Sequence, residues 1–105
     1  MARPVTITLS HDLGKEEAKR RFQDGFGKIQ KQLAGGMMFK FTEEWTSEDR
    51  LSFSAKGLGQ HITGTVDIFP AHVRIEAVLP GLLASLAELI SGRVEQQGHI
   101  LLEKK

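Results

Sequence analysis

Apolar and polar residues alternate in five short segments of the chain, a pattern typical of half-buried β-strands. Val5, Ile7 and Leu9 form the first segment. The other four follow one another without a helical segment between them, and their alternating apolar positions are Met37, Phe39 and Phe41; Leu51, Phe53 and Ala55; Ile62, Gly64, Val66 and Ile68; and Val73, Ile75, Ala77 and Leu79. Short polar or glycine-containing turns between these four predict an antiparallel meander.

A helical periodicity separates the first two strands, over residues 14–34. Its apolar positions recur every three or four residues and therefore share one face; they are Ala18, Phe22, Phe26, Ile29 and Leu33. Gly14 is the predicted N-cap, and Gly35-Gly36 is expected to end the helix. Gly25 lies at the edge of the apolar face, where we expect it to allow a close approach to the sheet.

The charged face of this helix alternates in sign. Glu17 is placed to pair with Arg21, and Asp24 to pair with Lys28, at the i,i+4 spacing that favours ion pairs. The basic residues therefore predict a solvated face rather than an anion-binding helix.

The last element begins at Pro80, a residue suited to the first turn of a helix. One continuous helix would direct five apolar residues to the sheet, namely Leu83, Leu86, Ile90, Val94 and Leu101. Leu82 and Leu89 then fall beside this stripe, near Arg93. Gly98 weakens helix propensity, so we expect the tail after it to bend or to pack separately.

These elements predict an α+β fold with the order β-α-β-β-β-β-α. Since each strand has one apolar and one mostly polar face, both helices should pack on one face of a two-layer structure, leaving the other face to water. The length of 105 residues fits a single domain spanning residues 1–105.

Composition narrows the classes of function. The formal net charge is +1, too small to indicate nucleic-acid binding, and the absence of cysteine excludes disulfides and thiolate chemistry. The chain shows neither a secretory signal nor an apolar run long enough for a transmembrane segment, so we expect a cytoplasmic protein.

The four histidines suggest no catalytic, metal-binding or cofactor-binding site. His61 and Asp67 share a strand face but lie six residues apart, too far to converge on one metal ion. Asp67 and His72 flank a turn and could face each other, but such pairs are usually structural.

Leu82 and Leu89 make the first half of the last helix more apolar than packing on one sheet requires. Their side chains could be buried beneath the other helix or the first strand. They could instead form a homodimer interface, an apolar ligand cleft or an apolar contact surface that also includes Leu86.

Three segments resemble a known family of small bacterial proteins, the polyhydroxyalkanoic acid system family. They are "HDLGKEEAKRR", "GLGQHITGTVDI" and "VLPGLLASLAELI", in this order and spacing, and the resemblance covers nearly the whole chain. It implies a cytoplasmic protein associated with polyhydroxyalkanoate storage, with no catalytic residues to transfer.

The leading hypothesis is a non-enzymatic accessory protein without a cofactor. It would bind storage granules or their coat proteins at the granule surface through Leu82, Leu86 and Leu89 on the last helix, because the granule polyester is apolar.

Two other hypotheses compete with this one. A small hydrophobic ligand could bind between the sheet and the last helix, in a pocket lined by Phe39, Phe41, Phe53 and Leu86. An enzyme using His61 or His72 would need a cleft with convergent polar groups, which the alternation does not indicate.

Overall fold

The computed structural model describes residues 3–34, 38–57 and 59–103, without the side chain of Leu82. Its elements are β1 (Arg3–Ser10), α1 (Lys15–Leu33), β2 (Lys40–Trp45), β3 (Arg50–Gly57), β4 (Gln60–Ile68), β5 (His72–Leu79), α2 (Gly81–Ala84) and α3 (Ala87–Leu101). The order confirms the predicted α+β fold. Met37 and the pair Gly35-Gly36, which we placed in the second strand and at the helix end, lie outside the described residues.

The five strands form one antiparallel sheet with the order β1-β5-β4-β3-β2. Strands β2 to β5 are the predicted meander, and β1 pairs with β5, so that Ile7 lies opposite Ile75. Helix α1 has 19 residues and is about 28 Å long at 1.5 Å per residue, long enough to return the chain from one edge of the sheet towards the other. Strands β1 and β2, which are consecutive in the chain, therefore lie at opposite edges of the sheet.

One face of the sheet carries the hydrophobic core. The predicted inward positions of β1, β3 and β5 are all buried, as are Ile62, Val66 and Ile68 of β4. The apolar face of α1 is buried throughout, and the Phe26 ring meets Phe53 edge-to-face with centroids 5.2 Å apart. The burial of these positions confirms the predicted alternation in the four strands and the predicted helical periodicity of α1.

Tight turns at glycine begin α1 and join β3 to β4. Gly14 and Gly59 have φ of 79° and 70°, in the left-handed region that residues with a Cβ rarely adopt. Gly14 is the N-cap of α1, as predicted, and its carbonyl accepts the Ala18 N–H at 3.1 Å.

Gly25 is a packing glycine, but its neighbour is α3 and not the sheet. A Cβ at this position would collide with a methyl group of Leu101. The sequence could not identify the neighbour because the path of the last helix across the sheet depends on contacts distant in the chain.

The predicted continuous last helix is interrupted after its first turn. Residues 85 and 86 separate α2 from α3, and the Leu86 N–H bonds to the carbonyl of Leu83 at 2.9 Å, three residues back instead of four. The expectation that the chain bends at Gly98 is wrong, since α3 continues to Leu101. Gly98 is buried, and a Cβ there would collide with Leu9 of β1.

An ion-pair cluster on α1 includes Arg21, whose guanidinium also forms hydrogen bonds with the end of α3. Glu17 lies 2.9 Å from Arg21 Nε, the predicted pair, whereas Asp24 pairs with Arg20 at 3.3 Å and not with Lys28. Arg21 also donates to the carbonyl oxygens of Leu101, at 3.4 Å, and Glu103. Arg21 thus satisfies carbonyl groups that the end of the helix leaves without intrahelical partners.

The two contrasting glycines of α3 give a stability test. Gly92→Ala should stabilise the protein by about 0.5–1 kcal/mol through helix propensity, because no described heavy atom lies within 4 Å of a Cβ at residue 92. Gly98→Ala should destabilise it by about 1–2 kcal/mol because overpacking against Leu9 outweighs the same gain. Urea denaturation would measure both; stabilisation by Gly98→Ala would show that Leu9 moves aside freely.

Glu17 should make folding sensitive to acid. Hydrogen bonds from Arg20 and Arg21 lower the pKa of Glu17 from its ordinary value of 4.5 to about 2. A depressed folded-state pKa contributes stability above pH 4.5, and this contribution is lost as the pH falls from about 4.5 to about 2. Glu17→Gln should therefore lower thermal stability at pH 7, with the difference vanishing near pH 2.

Glu16→Gln is the matched control for this titration. Glu16 is the neighbouring acid in the first turn, and it has no ion pair among the residues that the structure describes. A Glu17→Gln protein whose melting temperature followed pH like that of the wild type would contradict the assigned role of Glu17.

Candidate functional site

The residues that the sequence assigned to an apolar contact surface lie at and around the junction of α2 and α3. Leu83 and Ile90 are buried in the core, and Leu86 is half-buried against it. Leu89 is 53% exposed. The helical projection that put Leu82 beside Leu89 assumes one straight helix, so the interruption removes that argument, and the Leu82 side chain lies outside the described residues.

The surroundings of Leu89 are polar towards the rest of α3. Glu88 is exposed and lies 3.9 Å from Arg3, and Arg93 follows one turn after Leu89 on the same side. Ile100 is also exposed, at 54%, but three turns further along the helix. Leu89 and the half-buried Leu86 therefore form a small apolar area at the start of α3.

A groove of about 520 Å³ runs from α1 to the start of β2. Phe39 and Phe41 line it, as predicted for a pocket, but its other wall is α1 and not the last helix. Phe53 and Leu86 are absent from its lining; Phe53 is buried beneath Phe26, and Leu86 packs against the core. The predicted four-residue pocket is therefore wrong, because α3 lies over β1, at the other edge of the sheet.

Sequence reasoning missed the helical wall of this groove. Gly27, Lys28 and Lys31 contribute to it from α1. Across the groove, the chain before β2 passes close to Gly57, where a Cβ would lie 2.6 Å from the carbonyl oxygen of Met38. Gly57 thus permits the close approach that positions Phe39. In the sequence, the signal available for the helical wall of the groove was Gly27, a glycine within a helix.

The outer face of the sheet holds an ion-pair network that the alternation pattern did not reveal. Strand pairing sets Arg50, Asp67 and Arg74 side by side on β3, β4 and β5. Asp67 is buried, with its carboxylate oxygens 2.6 Å from Arg50 Nε and 3.5 Å from Arg74 Nη2. The hydrogen bond to Asp67 raises the pKa of Arg50 above its ordinary value.

Arg74 is held from two further sides. Its guanidinium lies 5.3 Å from the centre of the Phe69 ring. Its Nε lies 3.3 Å from a Glu76 carboxylate oxygen, but this nitrogen donates no hydrogen bond to any described residue. The arrangement packs the long arginine stem over the sheet and is structural.

Two of the histidines, His72 and His11, contact Phe69, whereas His61 lies at the start of β4. His72 stacks on Phe69 at 4.4 Å, and the residue paired with Asp67 on β5 is Arg74, so His72 does not lie directly opposite Asp67. His11 is buried, with Nε2 3.1 Å from the carbonyl oxygen of Phe69 and Nδ1 accepting the Leu13 N–H. His61 is exposed at the start of β4.

The described residues contain neither a metal-binding cluster nor a membrane-spanning helix. No group of three or more His, Asp or Glu side chains there is arranged to hold a metal ion. Within the same part of the chain, no helix combines the length and apolar character needed to cross a membrane.

The fold and its surfaces define a small α+β protein with an open antiparallel sheet, an apolar groove and an exposed leucine on its last helix. The chain belongs to the family described as "Putative polyhydroxyalkanoic acid system protein", whose model matches residues 5–102. This match confirms the resemblance carried by the three sequence segments. No curated protein matches the chain.

The ion-pair network on the outer face should stabilise the fold. Asp67→Asn should lower the free energy of unfolding by about 1–2 kcal/mol, because it leaves two arginines without their shared anion. Glu76→Gln is the control, with an expected loss below about 1 kcal/mol, since Glu76 is half-exposed. Equal losses in urea denaturation would contradict a special role for Asp67.

Proposed function

We propose that this protein is a non-enzymatic accessory protein of the polyhydroxyalkanoate storage system. It acts in the cytoplasm and binds the granule surface, or the proteins that coat it, through the apolar area of Leu86 and Leu89. Membership of the polyhydroxyalkanoic acid system family supports the storage context. The exposure of Leu89 is the structural observation that carries the mode of binding.

The argument rests on how α3 distributes its apolar residues. Ala87, Ile90 and Val94 are at most 1% exposed, whereas Leu89 is 53% exposed. Fully burying a leucine is worth about 1.5–3 kcal/mol, so folding leaves most of this stabilisation available for a partner. An apolar polyester surface offers burial without requiring a specific hydrogen-bond pattern.

Leu86 enlarges the contact. It lies three residues before Leu89 and therefore on the same side of the start of α3, and its half-buried side chain can lose further surface on binding. Leu82 stays in the proposed contact as the sequence hypothesis placed it. Such a small area supports weak, reversible association.

A homodimer is the competing use of the same leucines. Two copies could bury the start of α3 against each other, and this would hide the contact from a granule. Sedimentation equilibrium of the wild type and of Leu89→Asp would distinguish dimer formation from granule binding, since only a leucine-mediated dimer would dissociate in the variant.

Granule binding gives the principal prediction of this proposal. Leu89→Asp should weaken the affinity of the protein for polyhydroxyalkanoate granules about tenfold, the equivalent of about 1.4 kcal/mol, because a charge replaces the apolar contact. Leu82→Asp/Leu89→Asp should reduce it further. Co-sedimentation with native granules and with polyester particles stripped of protein would separate binding to the coat from binding to the polymer.

Gln23→Asp is the charge-matched control, since Gln23 is exposed on α1 and not on the helix that carries Leu89. It should bind like the wild type, and circular dichroism should show all three variants folded. A folded Leu82→Asp/Leu89→Asp protein that sediments with both kinds of particle as the wild type does would refute this mode of binding.

A further inference from the structure

Gly27 has no role in packing that explains a glycine. It lies within α1, where glycine is less favourable than alanine by about 1 kcal/mol, and its φ is not in the left-handed region. No described heavy atom lies within 4 Å of a Cβ built at residue 27. Gly25, in contrast, is required by Leu101.

The space beside Gly27 is the groove between α1 and the start of β2. Its volume of about 520 Å³ lies within the range of small-molecule sites, about 300–1,000 Å³. Phe39 and Phe41 supply apolar ring surface, and both are half-buried against the core. Gly27 lines this space, and a Cβ built there meets no described atom that would keep a larger side chain out of it.

The groove also has unbalanced positive charge. Lys28 and Lys31 line it and are exposed, and neither has an ion-pair partner among the residues that the structure describes. Asp24 also lines the groove, but its carboxylate pairs with Arg20 at 3.3 Å, and Glu43 nearby accepts a hydrogen bond from the neutral Gln30 amide at 2.9 Å. The two lysines and Asp24 leave the lining with a formal net charge of +1, which favours an anionic group in a ligand.

We propose that this groove binds a free alkanoate, a single acyl chain that ends in a carboxylate. The chain lies on Phe39 and Phe41, in the space that Gly27 leaves open, and the carboxylate is held by Lys28 and Lys31. Apolar surface and positive charge within one groove match the two parts of this ligand. The site is separate from Leu89 and does not depend on granule binding.

Titration of the full-length, 15N-labelled protein with octanoate tests the proposal by nuclear magnetic resonance. The amide signals of Gly25, Gly27, Phe39 and Phe41 should shift in a saturable manner. Acetate, which lacks the chain, should cause no such shifts at equal concentration. Octanol, which lacks the charge, should bind at least about threefold more weakly, the effect of roughly 0.7 kcal/mol from an exposed charge pair.

A matched pair of glycine variants tests the position of the chain. Gly27→Leu should weaken octanoate binding at least tenfold, roughly the effect of losing 1.4 kcal/mol, because the new side chain fills the groove. Gly92→Leu places the same residue at a second open helical position and should bind like the wild type. Both should remain folded, since neither site has a described neighbour within 4 Å of the new Cβ.

A second matched pair tests the carboxylate. Lys28→Gln/Lys31→Gln should weaken octanoate binding about threefold to tenfold, while leaving octanol binding unchanged. Lys40→Gln/Lys56→Gln removes the same charge from exposed lysines paired across β2 and β3 and should have no effect.

Several results would overturn the proposal. They are an octanoate titration without saturable shifts, shifts confined to other surfaces, and a folded Gly27→Leu protein that binds octanoate like the wild type. Binding to vesicles of anionic phospholipid, but not to octanoate, would overturn it in favour of a membrane contact. The granule assay with Leu89→Asp remains independent of every one of these outcomes.

Discussion

The fold depends above all on the close packing of α3 against α1 and β1. It occurs at two glycines, since Leu101 of α3 lies against Gly25 of α1 and Leu9 of β1 lies against Gly98 of α3. These contacts bring α3 against both α1 and the edge strand β1, and Arg21 fastens its C-terminal end. A side chain at either glycine would force the helix away from the core.

This packing leaves the opposite edge of the sheet incompletely covered. Helix α3 lies over β1, and at the other edge side chains of α1 reach the inner face of β2: the Lys19 ammonium lies 4.8 Å from the Trp45 ring centre, and Gln30 bonds to Glu43. Phe39 and Phe41 remain half-buried as a result. The apolar groove is thus a consequence of how two helices share a five-stranded sheet.

The two exposed apolar features differ in origin. The groove follows from incomplete coverage together with a glycine, whereas Leu89 is exposed because α3 uses Ala87, Ile90 and Val94 for its buried side. They lie on opposite parts of the molecule, and the proposals built on them are physically independent. The family match supports the storage context for both without selecting a partner.

The elements with a strong local periodicity could be identified from the amino-acid sequence alone. Strands β3, β4 and β5 and helix α1 could be predicted, since alternation and the 3.6-residue repeat are properties of neighbouring positions. The identity of the family also followed from short segments. Phe39 and Phe41, which the sequence placed in a pocket under the last helix, instead line a groove whose other wall is α1.

The contacts between the helices and the strands could be identified only from the folded structure. The break before α3, the continuation through Gly98 and the partners of Asp67 depend on strand register and on packing against residues far away in the sequence. Single-helix geometry consequently misplaced Leu86 in a pocket with Phe53, and it could not assign α1 as the wall of the groove. Local patterns report which face of an element is apolar, but the partner of that face is set by long-range contacts.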